Sequence, residues 1–309
     1  MVRCAIALRV SRGRWSILAA SSTVAVVVSL AGGLAGPRAA TAQPWIVFSA
    51  YADGGGATQL FRVQPNGVGL HQITTGKLPA VAPSFSRSGA KVAFSRLGSG
   101  IFTMNPDGTG LRRLTSNGRD GYPVWSPDGT QIAFIRLVGV QWRAFVMSSS
   151  GSNQHRLVQA PPAGRPSWTA NGKSIVMPAG GDLVQIDAKT GHVQKYFNLA
   201  IDTQTGQTAT VSPNGRMVAY VGPRVSTGPP DCGEGRCPQF GLYLANLPVP
   251  HRTHRIVNDT GAAGWSPDGK RLAFVAKGVL TLRNVASGAQ TVISTDTHVA
   301  TGDAPPAWR

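Results

Sequence analysis

The chain reads as all-β, and three features say so. The phrase WSPDGTQIAF at residues 125–134 returns almost unchanged as WSPDGKRLAF at residues 265–274. Weaker copies of it recur at a nearly constant interval. Gly 38 and Pro 22, against 14% charged residues in a chain of 309, supply many turns and few surfaces for long helices. The 42% hydrophobic content is enough to bury a core, which excludes wholesale disorder.

The repeat aligns on the residue two before the turn proline. That column is Phe85, Trp125, Trp168, Val211 and Trp265. Seven residues after each begins an apolar triplet: VAF at Val92, IAF at Ile132, IVM at Ile175, VAY at Val218 and LAF at Leu272. Ser-Pro-Asp-Gly suits a tight turn, because Pro presets φ, Asp caps the backbone and Gly takes the left-handed position. The large-small-large triplet suits a strand buried on a crowded surface. A second hairpin follows in each unit, as in IFTMNPDGTGLRRLT at residues 101–115. Each unit is therefore two hairpins, a four-stranded antiparallel sheet.

The spacing and the ends then give the architecture. Successive column positions are 40, 43, 43 and 54 residues apart, and a further 43 leads from Trp265 to Trp308. The long interval holds an insertion at about residues 222–240, between the second and third strands of its unit. The repeat region opens with the triplet Ile46-Val47-Phe48, which has no aromatic turn before it. Trp308 is an aromatic with no triplet after it. Each end holds what the other lacks, so the C-terminal strand is predicted to close a ring of six four-stranded blades, a β-propeller. Closure removes the sheet edges that an open array would present.

Residues 1–42 stand apart from the repeat. Arg3, Arg9, Arg12 and Arg14 form a basic start, no charge follows until Arg38, and the gap is apolar and small. Ala40-Thr41-Ala42 then gives a small-x-small cleavage pattern before Gln43, as in a secretory signal peptide. The rival reading is an uncleaved membrane anchor, since the uncharged gap is long enough to span a bilayer. Either reading places residues 43–309 outside the cytoplasm: periplasmic, associated with the cell envelope, or secreted. Removing the five Arg of the leader from 30 basic residues leaves 25 against 13 acids, a net +12. The basic residues are scattered rather than run together. A basic exported chain meets anionic envelope polymers and lipids before it meets nucleic acid, and the scatter reads equally well as a generally solvated basic surface.

Cys4 leaves with the leader. Cys232 and Cys237 remain, in the inserted stretch PPDCGEGRCPQ, and in an exported chain they read as a local disulfide. No further Cys or His lies close enough in sequence to make a metal site there.

The phrase P-x-W-S-P-D-G, then I-A-F, then a strand with D-G and L-T resembles the repeat of TolB-like propellers, the WD40-like PD40 repeat. Residues 123–134 and 101–115 match it closely, and the likeness runs over essentially residues 43–309. TANG and SPNG replace SPDG in two units, and Val211 replaces the aromatic in one. The resemblance implies the propeller fold and does not choose among the many functions that propellers host. TolB itself carries an α/β domain ahead of its propeller, whereas here the repeat follows the leader directly.

A search for chemistry turns up no convergent set. There is no G-x-S-x-G elbow and no H-E-x-x-H, Glu234 is the sole Glu, and Asp107, Asp128, Asp187 and Asp268 sit in turns. The six His fall at unrelated points of the repeat; His251 and His254 form a pair with no carboxylate nearby. No cofactor is expected. Prolyl-oligopeptidase relatives add a hydrolase domain to such a propeller, and oligogalacturonate lyases use His metal ligands that the scattered His here do not reproduce. The family repeat also places an acid three residues before the turn-entry proline. Asp120 and Asp303 hold that register, and Asp259 is one residue off. These loops ring one mouth of the channel, so Asp120, Tyr122, Asp259 and Asp303 are the candidate partner-binding residues. The expected function is a monomeric, non-catalytic, exported propeller that binds a protein or cell-wall partner through one face of the ring. The alternatives are a lyase or hydrolase acting on an anionic glycan, and a purely structural envelope component.

Export with cleavage after Ala42 sets the mass of the mature protein. The intact mass of the secreted product should begin at Gln43; a mass that still includes residues 1–42 identifies the segment as an anchor.

Overall fold

A computed structural model of the protein describes residues 44–51, 56–157, 164–180, 182–197, 199, 208–223, 240–247, 253–258, 261–276, 278–293 and 305–309. All of them lie in the compact body Gln43–Arg309. The leader, Asp259, Asp303 and the Cys232–Cys237 stretch fall outside the described residues. Six four-stranded antiparallel sheets make up the body, with no helix among the described residues. The inner strands are Ala80–Phe85, Asp120–Trp125, Ser167–Trp168, Ala209–Val211, Gly264–Trp265 and Ala307–Trp308. Each therefore ends on one of the column residues read from the sequence. The second strands are Val92–Arg96, Gln131–Val138, Ser174–Ala179, Met217–Pro223, Arg271–Ala276 and, in blade one, Ile46–Tyr51.

The turn phrase is a hydrogen-bonded module. The Ser126 hydroxyl donates to Asp128 Oδ1 (2.6 Å) and accepts from Gln131 N–H (2.9 Å), while Thr130 N–H donates to the same carboxylate oxygen (3.0 Å). Ser266 and Asp268 repeat the arrangement with Lys270 and Arg271. Thr169-Asn171 and Ser212-Asn214 repeat it with an amide oxygen in place of the carboxylate, so the phrases TANG and SPNG fold the same way. These donors stabilise the charged form of the Asp128 and Asp268 carboxyls and hold both below the ordinary Asp range, the serine hydroxyl being the largest cause in each. Gly129 and Gly269 take φ 74° and 67° at the turn, the left-handed region that glycine enters without steric cost.

The triplets build the core by alternation. Strand side chains point to opposite faces in turn, so the first and third members of a triplet face one neighbouring blade and the middle member faces the other. Ala93 of blade two packs with Ile132 and Phe134 of blade three. Ala133 of blade three packs with Ile175 and Met177. Val176 then meets Val218 and Tyr220, and Ala219 meets Leu272 and Phe274. The same rule crosses the chain ends: Ala273 meets Ile46 and Phe48, and Val47 meets Val92 and Phe94. Phe48, Phe94, Phe134 and Phe274 are fully buried by this arrangement. Each such burial is worth roughly 1.5–3 kcal/mol before entropy is counted.

The ring closes as the sequence predicts. Ala307–Trp308 pairs antiparallel with the second strand of blade one, Trp308 opposite Ile46 and Ala307 opposite Val47. Trp45 and Arg309 exchange backbone hydrogen bonds of 2.7 and 2.8 Å just beyond. Trp308 is buried, and the Arg271 guanidinium sits 4.8 Å from its ring centre. The outer edges of blades one to three are strands of only two residues, His71–Gln72, Arg112–Arg113 and His155–Arg156. Short polar edges of this kind discourage edge-to-edge pairing with other chains.

Deleting residues 304–309 should leave Ile46–Tyr51 as an open edge and remove the buried Trp308. Loss of a buried Trp costs about 3–5 kcal/mol, a large share of a domain's stability. Calorimetry should show a clearly lower melting temperature, and an unchanged one would contradict closure by this strand.

Candidate functional site

The inner strands surround a central cavity of about 260 Å³. Its walls combine indole and pyrrolidine rings with the side chains of Ser84, Tyr122, Arg165, Ser167 and Thr208. Among the described residues that line it, Arg165 carries the only formal charge. An inner strand has one unpaired backbone edge, and two devices cover that edge here. The first is a proline at the same repeat position in four blades, Pro83, Pro123, Pro166 and Pro306, where no N–H has to be satisfied. The second is bonding between adjacent blades. Trp168 Nε1 donates to Val124 O (3.0 Å) and Trp265 Nε1 to Thr210 O (2.9 Å). In the other direction, Val211 N–H donates to Ser167 Oγ (2.9 Å) and Trp125 N–H to Ser84 Oγ (3.3 Å).

Trp168 and Trp265 are therefore hydrogen-bond donors between blades as well as core, whereas the buried Trp125 Nε1 has no such partner among the described residues. Where Val211 replaces the aromatic, its N–H bond to Ser167 Oγ still links blades four and five, and Thr210 Oγ1 adds a bond to Ala263 O (2.7 Å) of blade six.

Toward the mouth, blades two and three depart from regular pairing. Their inner strands slip register between Val81 and Ser84 and between Gly121 and Val124. Ala82 and Tyr122 sit in these bulges at φ 56° and 55°. A left-handed non-glycine residue costs about 1–2 kcal/mol, and such residues cluster at functional positions. Two contacts hold Tyr122 there. Its N–H donates to Ser95 Oγ (2.9 Å), and the Arg165 guanidinium lies 3.9 Å from its ring centre. Arg165 occupies the same repeat position one blade further on, before Pro166, and is 6% exposed.

Asp120 begins the inner strand of blade three, opposite Arg136 on the second strand. Arg136 grips it bidentately, Nε to Oδ1 at 2.5 Å and Nη2 to Oδ2 at 2.8 Å, and Nη2 also reaches Gln154 Oε1 at 2.9 Å. The guanidinium lies 4.7 Å from the Phe145 ring centre. The bond to Asp120 holds the Arg136 pKa above its ordinary value. With a side chain 0% exposed, Asp120 offers no carboxylate to solvent; its charge is spent on Arg136. In blade two the same slot is Ala80, and its partner Arg96 turns instead to Thr75 O (3.1 Å) and the Phe102 ring. The structure thus brings Asp120 and Tyr122 to the mouth end of one inner strand and gives them different neighbours. Asp259 and Asp303 lie outside the described residues.

Of the histidines, His71, His155 and His254 lie on outer strands and His192 lies in a turn. No group of three His, Cys, Asp or Glu side chains fit to hold a metal occurs among the described residues. Sequence reasoning passed over Arg165, because a single Arg before a proline carries no motif. The signal available was positional: Arg165 fills the slot that Tyr122 fills in the preceding blade.

Six radial four-stranded blades define a closed propeller around a central channel. The family model for the TolB beta propeller domain matches residues 72–227, and the chain belongs to that family. Solved structures agree on the fold. TolB from Acinetobacter baumannii superposes with a TM-score of 0.68 at 16% identity, over 85% of this chain and 66% of that one. A TolB-type protein from Agrobacterium tumefaciens gives 0.61 at 14%, over 85% and 93%. Hydrazine synthase of Kuenenia stuttgartiensis gives 0.51 at 14% identity, over 82% and 80%. This chain spans about two thirds of the length of the Acinetobacter protein.

Asp120→Asn should lower stability, because it leaves Arg136 without its counter-charge. Breaking a fully buried pair costs 3–5 kcal/mol, but the Arg136 side chain is 19% exposed and can recover water, so we expect about 1–3 kcal/mol. Urea denaturation measures it, and an unchanged midpoint would show that the pair contributes nothing.

Proposed function

We propose that the protein is exported as residues 43–309 and acts without catalysis, binding a protein or cell-wall partner through the mouth end of the ring. One observation carries the reading: the left-handed Tyr122, clamped by Arg165 and Ser95 at the mouth end of the channel wall. Its strain is sustained by a rigid scaffold, and binding residues concentrate where such a scaffold presents irregular backbone. Family membership supports a binding role, and the leader sequence supports an extracytoplasmic setting. Among the described residues, no helix is long and apolar enough to cross a membrane.

On this reading Tyr122 is a contact residue, and Asp120 holds Arg136 in place beside it. Asp259 and Asp303, which precede the inner strands of blades six and one in sequence, supply the acidic groups that attract a basic side chain or an amino terminus. The Cys232–Cys237 loop, closed by a disulfide, is a separate element within the insertion of blade five. The mature protein is a monomer and needs no cofactor.

The test compares native-envelope pull-downs by wild type and by a Tyr122→Ala, Asp259→Asn, Asp303→Asn variant. Asp120 is left intact, so that the ion pair does not confound the result. Recovery of the specific partner should fall at least about tenfold at matched folding, the equivalent of one 1.4 kcal/mol contact. Equal recovery would retire the mouth and move recognition to the Cys232–Cys237 loop.

A further inference from the structure

The hairpin of blade three is longer than its counterparts. Gln131–Val138 and Gln141–Ser148 are eight residues each, whereas the corresponding strands of blade two, Val92–Arg96 and Gly100–Met104, are five each. Its last two pairs, Leu137 with Trp142 and Val138 with Gln141, lie beyond the Asp120–Arg136 pair with which the inner strand begins. The hairpin therefore runs two residue pairs further toward the mouth than that of blade two, whose pairing stops at Arg96 and Gly100. Gly139 turns the chain at φ 61°, as the first central residue of a two-residue hairpin turn. The second central residue is Val140, where such turns ordinarily carry a polar residue.

The extension is apolar. Val140 is 95% exposed, Val138 42% and Trp142 39%. Leu97 in the turn of blade two and Leu78 before its inner strand are exposed at the same end. A folded chain gains nothing by placing a valine at a fully solvated turn, so this break in the polar-turn rule marks a contact surface.

The surroundings are basic. Lys77, Arg113 and Arg119 are exposed at this end and Arg143 is half-exposed. Arg113 bonds Ser99 O in the blade-two turn, Arg119 O accepts from Leu137 N–H, and Arg143 bonds Gln141 within the hairpin itself. Among the described residues of blades one to three, Asp120 is the only acid at this end, and Arg136 consumes it. The turn acids Asp107 and Asp128 lie at the opposite end, where the SPDG and NPDG turns sit.

We propose that the 138–142 hairpin inserts its apolar tip into an anionic lipid surface, with Lys77, Arg119 and Arg143 resting on the headgroups. The shape favours lipid over protein. The tip is convex and offers three side chains, far short of the roughly 1,000 Å² that a specific protein interface buries, whereas a bilayer yields around such a wedge. Val at the leading position and Trp just behind it match the order of hydrocarbon and interfacial zones. Each cation near an anionic leaflet adds about 1 kcal/mol, or about fivefold in affinity, and the chain's net +12 after loss of the leader adds long-range attraction. The inference rests on the reading that the mouth end is the docking end, and it names the envelope surface which that end meets.

The test uses the purified exported protein with phosphatidylcholine vesicles, with and without phosphatidylglycerol. Wild type should co-sediment with the phosphatidylglycerol vesicles, and added salt should weaken the binding. A Val138→Ser, Val140→Ser, Trp142→Ser variant should bind at least about tenfold more weakly at an unchanged melting temperature. Val68→Ser with Leu111→Ser, exposed apolar positions in the turns of the opposite end, should bind like wild type. Bromine-labelled acyl chains should quench part of the wild-type fluorescence and quench less of it in Trp142→Phe. No binding to the anionic vesicles, or equal binding by the hairpin variant, overturns the proposal. So does a hairpin variant that loses a protein partner while wild type ignores lipid. The Tyr122, Asp259, Asp303 variant should still bind vesicles, so failure of the pull-down and failure of lipid binding are separate outcomes.

Discussion

The parity of the triplets is the constraint on which the rest of the molecule depends. Because a strand shows alternate side chains to opposite faces, a large-small-large sequence gives each blade one knobbed face and one flat face. Knobs such as Ile132 and Phe134 then meet a flat Ala93 on the neighbour, and six such contacts return to their starting point when Ala273 receives Ile46 and Phe48. A one-residue slip in any second strand would exchange the faces and set knob against knob on one side and gap against gap on the other. The Asp, Asn and Ser turns that precede these strands fix the register, so turn chemistry and core packing specify the same arrangement.

Much of this was legible in the sequence because it is periodic. The column from Phe85 to Trp308, the triplets and the closing strand all fall where the spacing places them, and the poor copies TANG and SPNG make the same turn as SPDG. Asp120 shows where that reading runs out. Its place in the repeat was visible, but its partner Arg136 sits sixteen residues away, and only the pairing of the two strands makes them neighbours. The left-handed Tyr122 was hidden for a similar reason: a bulge is a relation between two strands, and Tyr-Pro alone does not announce it. The blade-three hairpin went unread, because Val138-Gly139-Val140 carries no motif and only the strand pairing shows its length.

The inner edge links fold to function. A propeller must leave one backbone edge of every blade facing the channel, and here indole N–H groups, hydroxyls and prolines cover those edges. This rigidity is what allows the mouth to hold unfavourable elements, a strained tyrosine and a buried guanidinium, without loosening the ring. Recognition chemistry can then vary at the ends of the blades while the packing between them stays fixed.

The pairing of Ala307 with Val47 has a kinetic side. Every blade but the first is assembled from residues close together in sequence, so hairpins can form one after another as chain becomes available. Blade one cannot be completed until Ala307 and Trp308 are available, and its closing contact spans almost the whole length of the body. Loop-closure entropy for such a contact is high, so the step comes late and slowly, and earlier species carry an open blade with an unpaired strand. A chain built this way completes its ring only when Ala307 and Trp308 join a blade whose other strands formed from the first residues of the body.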